Sequence, residues 1–197
     1  MPRRITLSYP RSGATMVQYM LLHAKPKVAV EKLHGHDMLN KNIDSFGHEC
    51  VLLMILRNYK ECIMSHLSRH GNEHKPERIE LAYTHYAKIL SVYWNTRVPK
   101  ILFYYEDIIT QPVKYIQQIA EYFGTDVSHI VADMNGYLTR SRESYMGALG
   151  NCQTDGKQTI HFTPLTKEYD FDWDQRMRDT APGLYDEYLT RYGETND

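Results

Sequence analysis

Apolar and polar positions alternate along the chain in blocks that change period several times. Residues 5–9, Ile-Thr-Leu-Ser-Tyr, form a short β-prone run that stops at Pro10; Met16, Val17, Met20 and Leu21 then recur at helical spacing, predicting strand, tight loop and helix. A second apolar run, residues 51–56, is uninterrupted and of strand length, as a strand buried on both faces in a parallel sheet would be. Val28-Ala-Val30 predicts a short strand between these two, and residues 100–105 a further β-rich run. Helices are predicted at residues 77–94, with Ile79, Tyr83, Tyr86, Ile89, Leu90 and Tyr93 toward one side, and at 112–123, opened by Pro112 and stopped by Gly124. Residues 135–163 show no clear periodicity, and residues 172–192 read as a closing helical region interrupted at Pro182-Gly183. Strands alternating with helices, without repeats or a low-complexity linker, predict an α/β fold: a three-layer parallel sheet flanked by helices, in one domain over residues 1–197.

The chemistry gathers where the runs end. Between the first strand and helix stand Arg11, Ser12, Gly13, Ala14 and Thr15. Such a loop directs successive backbone N–H groups and the positive end of a helix dipole at one point, a cradle for a phosphate or sulfate ester that the Arg11 side chain and the hydroxyls of Ser12 and Thr15 can join. The Gly-x-x-x-x-Gly-Lys-Ser/Thr pattern of ATP- and GTP-binding loops is absent, which argues against an ordinary kinase or NTPase. The second strand ends at Arg57, at the edge where open α/β sheets bind ligands, and Ser65 follows about two helical turns later. His34 and His36 lie between the two phosphate segments, and imidazole is suited to accept a proton at neutral pH. His34-Gly-His36-Asp37 also offers metal ligands, but no further His/Cys cluster at metal spacing accompanies it, and no metal is expected.

Taken in order, these segments resemble the sulfotransferases. Tyr9-Pro10-Arg11-Ser12-Gly13-Ala14-Thr15 is similar to the 5′-phosphosulfate loop, Tyr-Pro-Lys-Ser-Gly-Thr-Thr-Trp in cytosolic members and Pro-Arg-Ser-Gly-Thr-Thr in protein-tyrosine members. Ala14 departs from it, and Met16 stands where cytosolic members carry a Trp beside the adenine. Arg57-Asn58-Tyr59-Lys60-Glu61 with Ser65 resembles Arg-Asn-Pro-Lys-Asp-x-x-x-Ser, which holds the 3′-phosphate of 3′-phosphoadenosine 5′-phosphosulfate (PAPS); Tyr59 replaces the Pro. Tyr105-Glu106-Asp107 resembles the family's Tyr-Glu-Asp strand end, which puts Tyr105 near the nucleotide. Lys32-Leu33-His34 stands where cytosolic members have Lys-Thr-His, which implies His34 as catalytic base, with His36 as its neighbour and alternative.

The resemblance implies a P-loop NTPase-like fold, PAPS as donor and its desulfated product PAP. Catalytic roles fall to His34, Arg11 and Lys32, and cofactor binding to Arg11, Ser12, Gly13, Ala14, Thr15, Met16, Arg57, Ser65 and Tyr105. The family's C-terminal 3′-phosphate motif is missing; Asp155-Gly156-Lys157 is its nearest echo, which makes Lys157 a candidate, with Arg140 and Arg142 as other basic choices.

Composition adds limits. The 197 residues are 42% hydrophobic and 24% charged, ordinary globular usage, and a formal net charge of −1 gives no preference for nucleic acid or a membrane surface. Cys50, Cys62 and Cys152 are too few and scattered for a disulfide scaffold, and the first residues hold no stretch apolar enough for a signal peptide or anchor, so a cytoplasmic protein is expected. The acceptor, whether small molecule, glycan or peptide, and the oligomeric state are not legible. Two rival readings stay open: an ATP-dependent P-loop-like phosphotransferase, for which the loop Lys is missing, and a non-catalytic nucleotide-binding module.

Overall fold

The computed structural model describes residues 3–34, 50–68, 75–149 and 173–192, and within 142–149 only Glu143 with its side chain. The chain divides into two compact units, one from Met1–Ser12, Glu31–Glu106 and Tyr169–Asp197, the other from Gly13–Val30 and Asp107–Glu168.

The first unit holds a four-stranded, all-parallel sheet in the order β2-β1-β3-β4, with β1 at Arg3–Ser8, β2 at Glu31–Leu33, β3 at Cys50–Leu56 and β4 at Lys100–Tyr104. The register sets Leu7 beside Leu33 and Met54, and Leu56 beside Tyr104. In β3 every residue from Leu52 to Leu56 is buried, which is why this strand reads as a continuous apolar run rather than an alternating one. On one face Ile5, Leu7, Leu33, Leu52, Met54 and Leu56 form a core with the helices α2 (Tyr59–Ser68), α3 (Pro76–Asn95), α8 (Asp174–Thr180) and α9 (Leu184–Tyr192).

Much of that core is aromatic. Tyr59, at the first position of α2, is fully buried, with its ring 5.6 Å from that of Tyr185, 6.2 Å from Tyr86 and 6.4 Å from Tyr83, and its hydroxyl accepts the Trp173 N–H at 3.1 Å. The residue standing where the resembled motif has a Pro is thus an anchor of the core. Asn58 caps the same helix, its Oδ1 accepting the N–H groups of Lys60 at 2.9 Å and Glu61 at 3.4 Å. At the far end of α3, the Lys100 ammonium donates to the carbonyls of Tyr93, Trp94 and Thr96 at 2.7–3.1 Å, satisfying the oxygens that a helix C-terminus leaves open.

The second unit is helical. Its elements are α1 (Ala14–His23), α5 (Pro112–Tyr122), α6 (Ser128–Ala132) and α7 (Met134–Leu149), and α1 packs against α5 and α7. The short helix α4 (Tyr105–Thr110) carries the chain from the first unit into the second. Lys25 and Asp126 exchange backbone hydrogen bonds at 2.9 and 3.0 Å.

The mixed α/β class with a parallel sheet and flanking helices is the predicted one, and three local expectations are corrected. The strand expected at residues 28–30 lies at Glu31–Leu33; the Val28 N–H turns back to the Leu21 carbonyl at 2.9 Å, so sheet pairing starts only at Glu31. Tyr105-Glu106-Asp107 opens α4 instead of ending the strand. The stretch without periodicity begins with a helix, α7, whose sequence carries only a weak apolar stripe. Among the described residues no helix is long and apolar enough to cross a membrane.

Tyr59→Ala should destabilise the protein by about 3–5 kcal/mol through the cavity it opens, and Tyr59→Phe by about 1 kcal/mol through the lost hydrogen bond. Urea unfolding checks both; equal, small effects would remove Tyr59 from the core account.

Candidate functional site

Parallel strands deliver their C-terminal ends to a single sheet edge, and in the first unit each strand ends there in a residue with chemistry. Beyond β1 come Arg11 and Ser12; one residue beyond β2 comes His34, one beyond β3 comes Arg57, and one beyond β4 comes Tyr105.

Arg57 ties these ends together. Its Nη1 donates to the Arg11 carbonyl at 2.9 Å, its Nε and Nη2 donate to one oxygen of Glu61 at 3.0 and 2.7 Å, and its Cζ lies 4.4 Å from the centre of the Tyr105 ring. Its own carbonyl accepts the Tyr86 hydroxyl. The side chain is only 12% exposed, so its charge depends on these partners. Tyr105 in turn is held neutral: burial pushes its phenol above the usual range against the opposing pull of Arg57. Burial also pushes the nearby Cys62 thiol up to about 12, so it is protonated at neutral pH.

The loop after β1 is strained. Arg11 has φ 77°, the one positive φ at a non-glycine position among the described residues, a conformation that costs about 1–3 kcal/mol and persists only where its surroundings impose it. Three contacts impose it here: the Arg57 bond to the Arg11 carbonyl, a 3.0 Å bond from Arg11 Nε to Ser65 Oγ, and a turn in which both the Ser12 N–H (3.3 Å) and the Ser12 hydroxyl (2.8 Å) donate to the Tyr9 carbonyl. The Ser12 hydroxyl, a candidate phosphate donor by sequence, is therefore buried and committed to the loop itself.

Gly13, Ala14, Thr15 and Met16 belong to the second unit. Gly13, at φ 84°, is the N-cap of α1 and contributes no side-chain cap, while its carbonyl accepts the N–H groups of Met16 and Val17 at 3.0 and 3.3 Å.

His34 Nδ1 lies 2.9 Å from the Ser8 carbonyl. A carbonyl only accepts, so Nδ1 carries the hydrogen, and in the neutral ring Nε2 is the basic nitrogen. Lys32 lies two residues earlier in β2, and burial lowers its ammonium pKa. His36 and Lys157 lie outside the described residues, as does the side chain of Arg142. Arg140 is in the second unit, ion-paired with Asp133 at 2.8 Å and stacked 4.3 Å over Tyr137. Among the described residues no group of three His, Cys, Asp or Glu could hold a metal ion.

A family model described as Sulfotransferase domain matches residues 33–190. The chain belongs to the sulfotransferase family. No curated protein matches it. The sulfotransferase match takes in His34, Arg57, Ser65 and Tyr105, while Lys32 and the loop of residues 9–16 precede it. Of two further features of this sheet edge, the strained Arg11 backbone has no signal in residue type, whereas the partnership of Arg57 with Glu61 is signalled by their i,i+4 spacing.

Lys32 yields a test of its burial. A folded state that lowers its pKa binds its proton less tightly than the unfolded chain, so the penalty is full below the folded pKa and lifts as pH rises toward the unfolded value of about 10.4. Urea unfolding of wild type and Lys32→Met should show the wild type gaining on the variant across that window; a difference independent of pH would contradict it.

Proposed function

We propose that this sulfotransferase takes PAPS as donor and transfers its sulfuryl group, in line, to a hydroxyl or amine of a small molecule, glycan or peptide. The observation that carries the reading is the Arg57 guanidinium, packed on Tyr105 and bonded to the carbonyl of Arg11 in the loop after β1. A nucleotide phosphorylated at both its 3′ and 5′ positions has the charge pattern for two such neighbouring basic elements. Arg57 and Ser65 would take the 3′-phosphate. The loop after β1, with the Arg11 side chain, would take the 5′-phosphate.

In the transfer, an acceptor oxygen or nitrogen forms a bond to sulfur as the bond from sulfur to the donor's 5′-phosphate oxygen breaks, and the electron pair leaves with PAP. The acceptor proton goes to His34 Nε2, left free of hydrogen by the tautomer that the Ser8 carbonyl selects. Negative charge on the peripheral oxygens is met by Arg11, which acts by electrostatics because a guanidinium does not give up its proton near neutrality. Lys32 would add a second cation on the His34 side.

Calorimetric titration of PAP, beside ATP with Mg²⁺, is the test. Micromolar PAP binding, weakened about tenfold or more by Arg57→Ala, with ATP much poorer, is expected. Tighter ATP–Mg²⁺ binding would favour a phosphotransferase. Once an acceptor is in hand, His34→Ala should lower kcat by about 10²- to 10⁴-fold with little change in PAP affinity; an unchanged kcat would remove His34 as the base.

A further inference from the structure

Glu61 occupies the Nε/Nη2 edge of Arg57, one of the two along which a guanidinium can grip a phosphate. Nη1 gives one of its two hydrogens to the Arg11 carbonyl, while Nε and Nη2 both point at one oxygen of Glu61. Tyr105 covers a face of the guanidinium. Of the two ion-pair partners, Arg57 is 12% exposed and Glu61 is 49% exposed, so the carboxylate is the one with room to turn away.

A phosphate dianion presents the same planar pair of oxygens as a carboxylate with twice the charge, and Arg binds both in the same fork. We infer that Glu61 is an intramolecular competitor for the 3′-phosphate, closing the Arg57 fork until a phosphate displaces it. The inference rests on the PAPS reading above.

Two consequences follow from the competition. A nucleotide with a bare 3′-hydroxyl has no group with which to displace Glu61, so it gains nothing from Arg57. A nucleotide with a 3′-phosphate binds more weakly than the open fork would allow, by the fraction of time the fork is open. For an ion pair with one exposed partner that factor is roughly two- to sixfold.

The test is calorimetric titration of PAP and of 5′-AMP, which lacks the 3′-phosphate, into wild type, Glu61→Gln, Arg57→Ala and the double variant. Glu61→Gln should tighten PAP roughly two- to sixfold, leave 5′-AMP nearly unchanged, and lose its effect on PAP when Arg57 is Ala. If Arg57→Ala weakens PAP but Glu61→Gln leaves it unchanged or weakens it, Glu61 is a support for Arg57, and the competition is overturned while the donor reading stands. Equal tightening of both nucleotides would make the effect one of general charge and would likewise overturn it. PAP affinity indifferent to Arg57 would overturn the competition and the donor reading together.

Discussion

A nearly buried guanidinium has to be matched by acceptors, and the way Arg57 is matched organises the sheet edge around it. One bond runs to the carbonyl of Arg11, two run to Glu61, and the Tyr105 ring covers it from β4's end. Removing the side chain would take away one of the three contacts that hold Arg11 in a left-handed conformation. The constraint therefore links the ends of β1, β3 and β4 in a way that strand pairing alone does not, and it does so with a residue that also has the right charge to bind an anion.

The same edge shows how a parallel sheet turns register into chemistry. Pairing of Leu7 with Leu33 puts His34 beside the end of β1, and that adjacency lets the Ser8 carbonyl fix the imidazole tautomer. An imidazole held by a backbone carbonyl is oriented by the sheet itself. Arg11, three residues beyond β1, and His34, one residue beyond β2, therefore follow the ends of neighbouring strands.

Much of this was legible in the sequence because the signals were physical extremes. β3 is an unbroken apolar run, α5 opens on a proline, and Arg57 stands immediately after its strand. Legibility failed where the determining contact was tertiary. Val28-Ala-Val30 looks like a strand, yet the Val28 amide folds back on α1 and the pairing falls to the more polar Glu31 and Lys32, which suit a sheet edge. Helix α7 lacks a strong apolar stripe, so periodicity passed over it. Tyr59 replaces the Pro of the resembled motif and is a buried anchor whose hydroxyl accepts the N–H of Trp173, more than a hundred residues away in sequence. At the site, residue types and spacing pointed to Arg11, Arg57 and His34, whereas the strain at Arg11 and the commitment of the Ser12 hydroxyl to Tyr9 arise only from three-dimensional contacts.

A crystal structure with PAP bound would show whether the Arg57 fork is the phosphate-binding element proposed for this sulfotransferase. Expected there are a 3′-phosphate oxygen within hydrogen-bond distance of Arg57 Nε or Nη2, the Glu61 carboxylate turned away, and Nη1 still donating to the Arg11 carbonyl. PAP seated elsewhere, with the Arg57–Glu61 pair intact, would contradict that proposal.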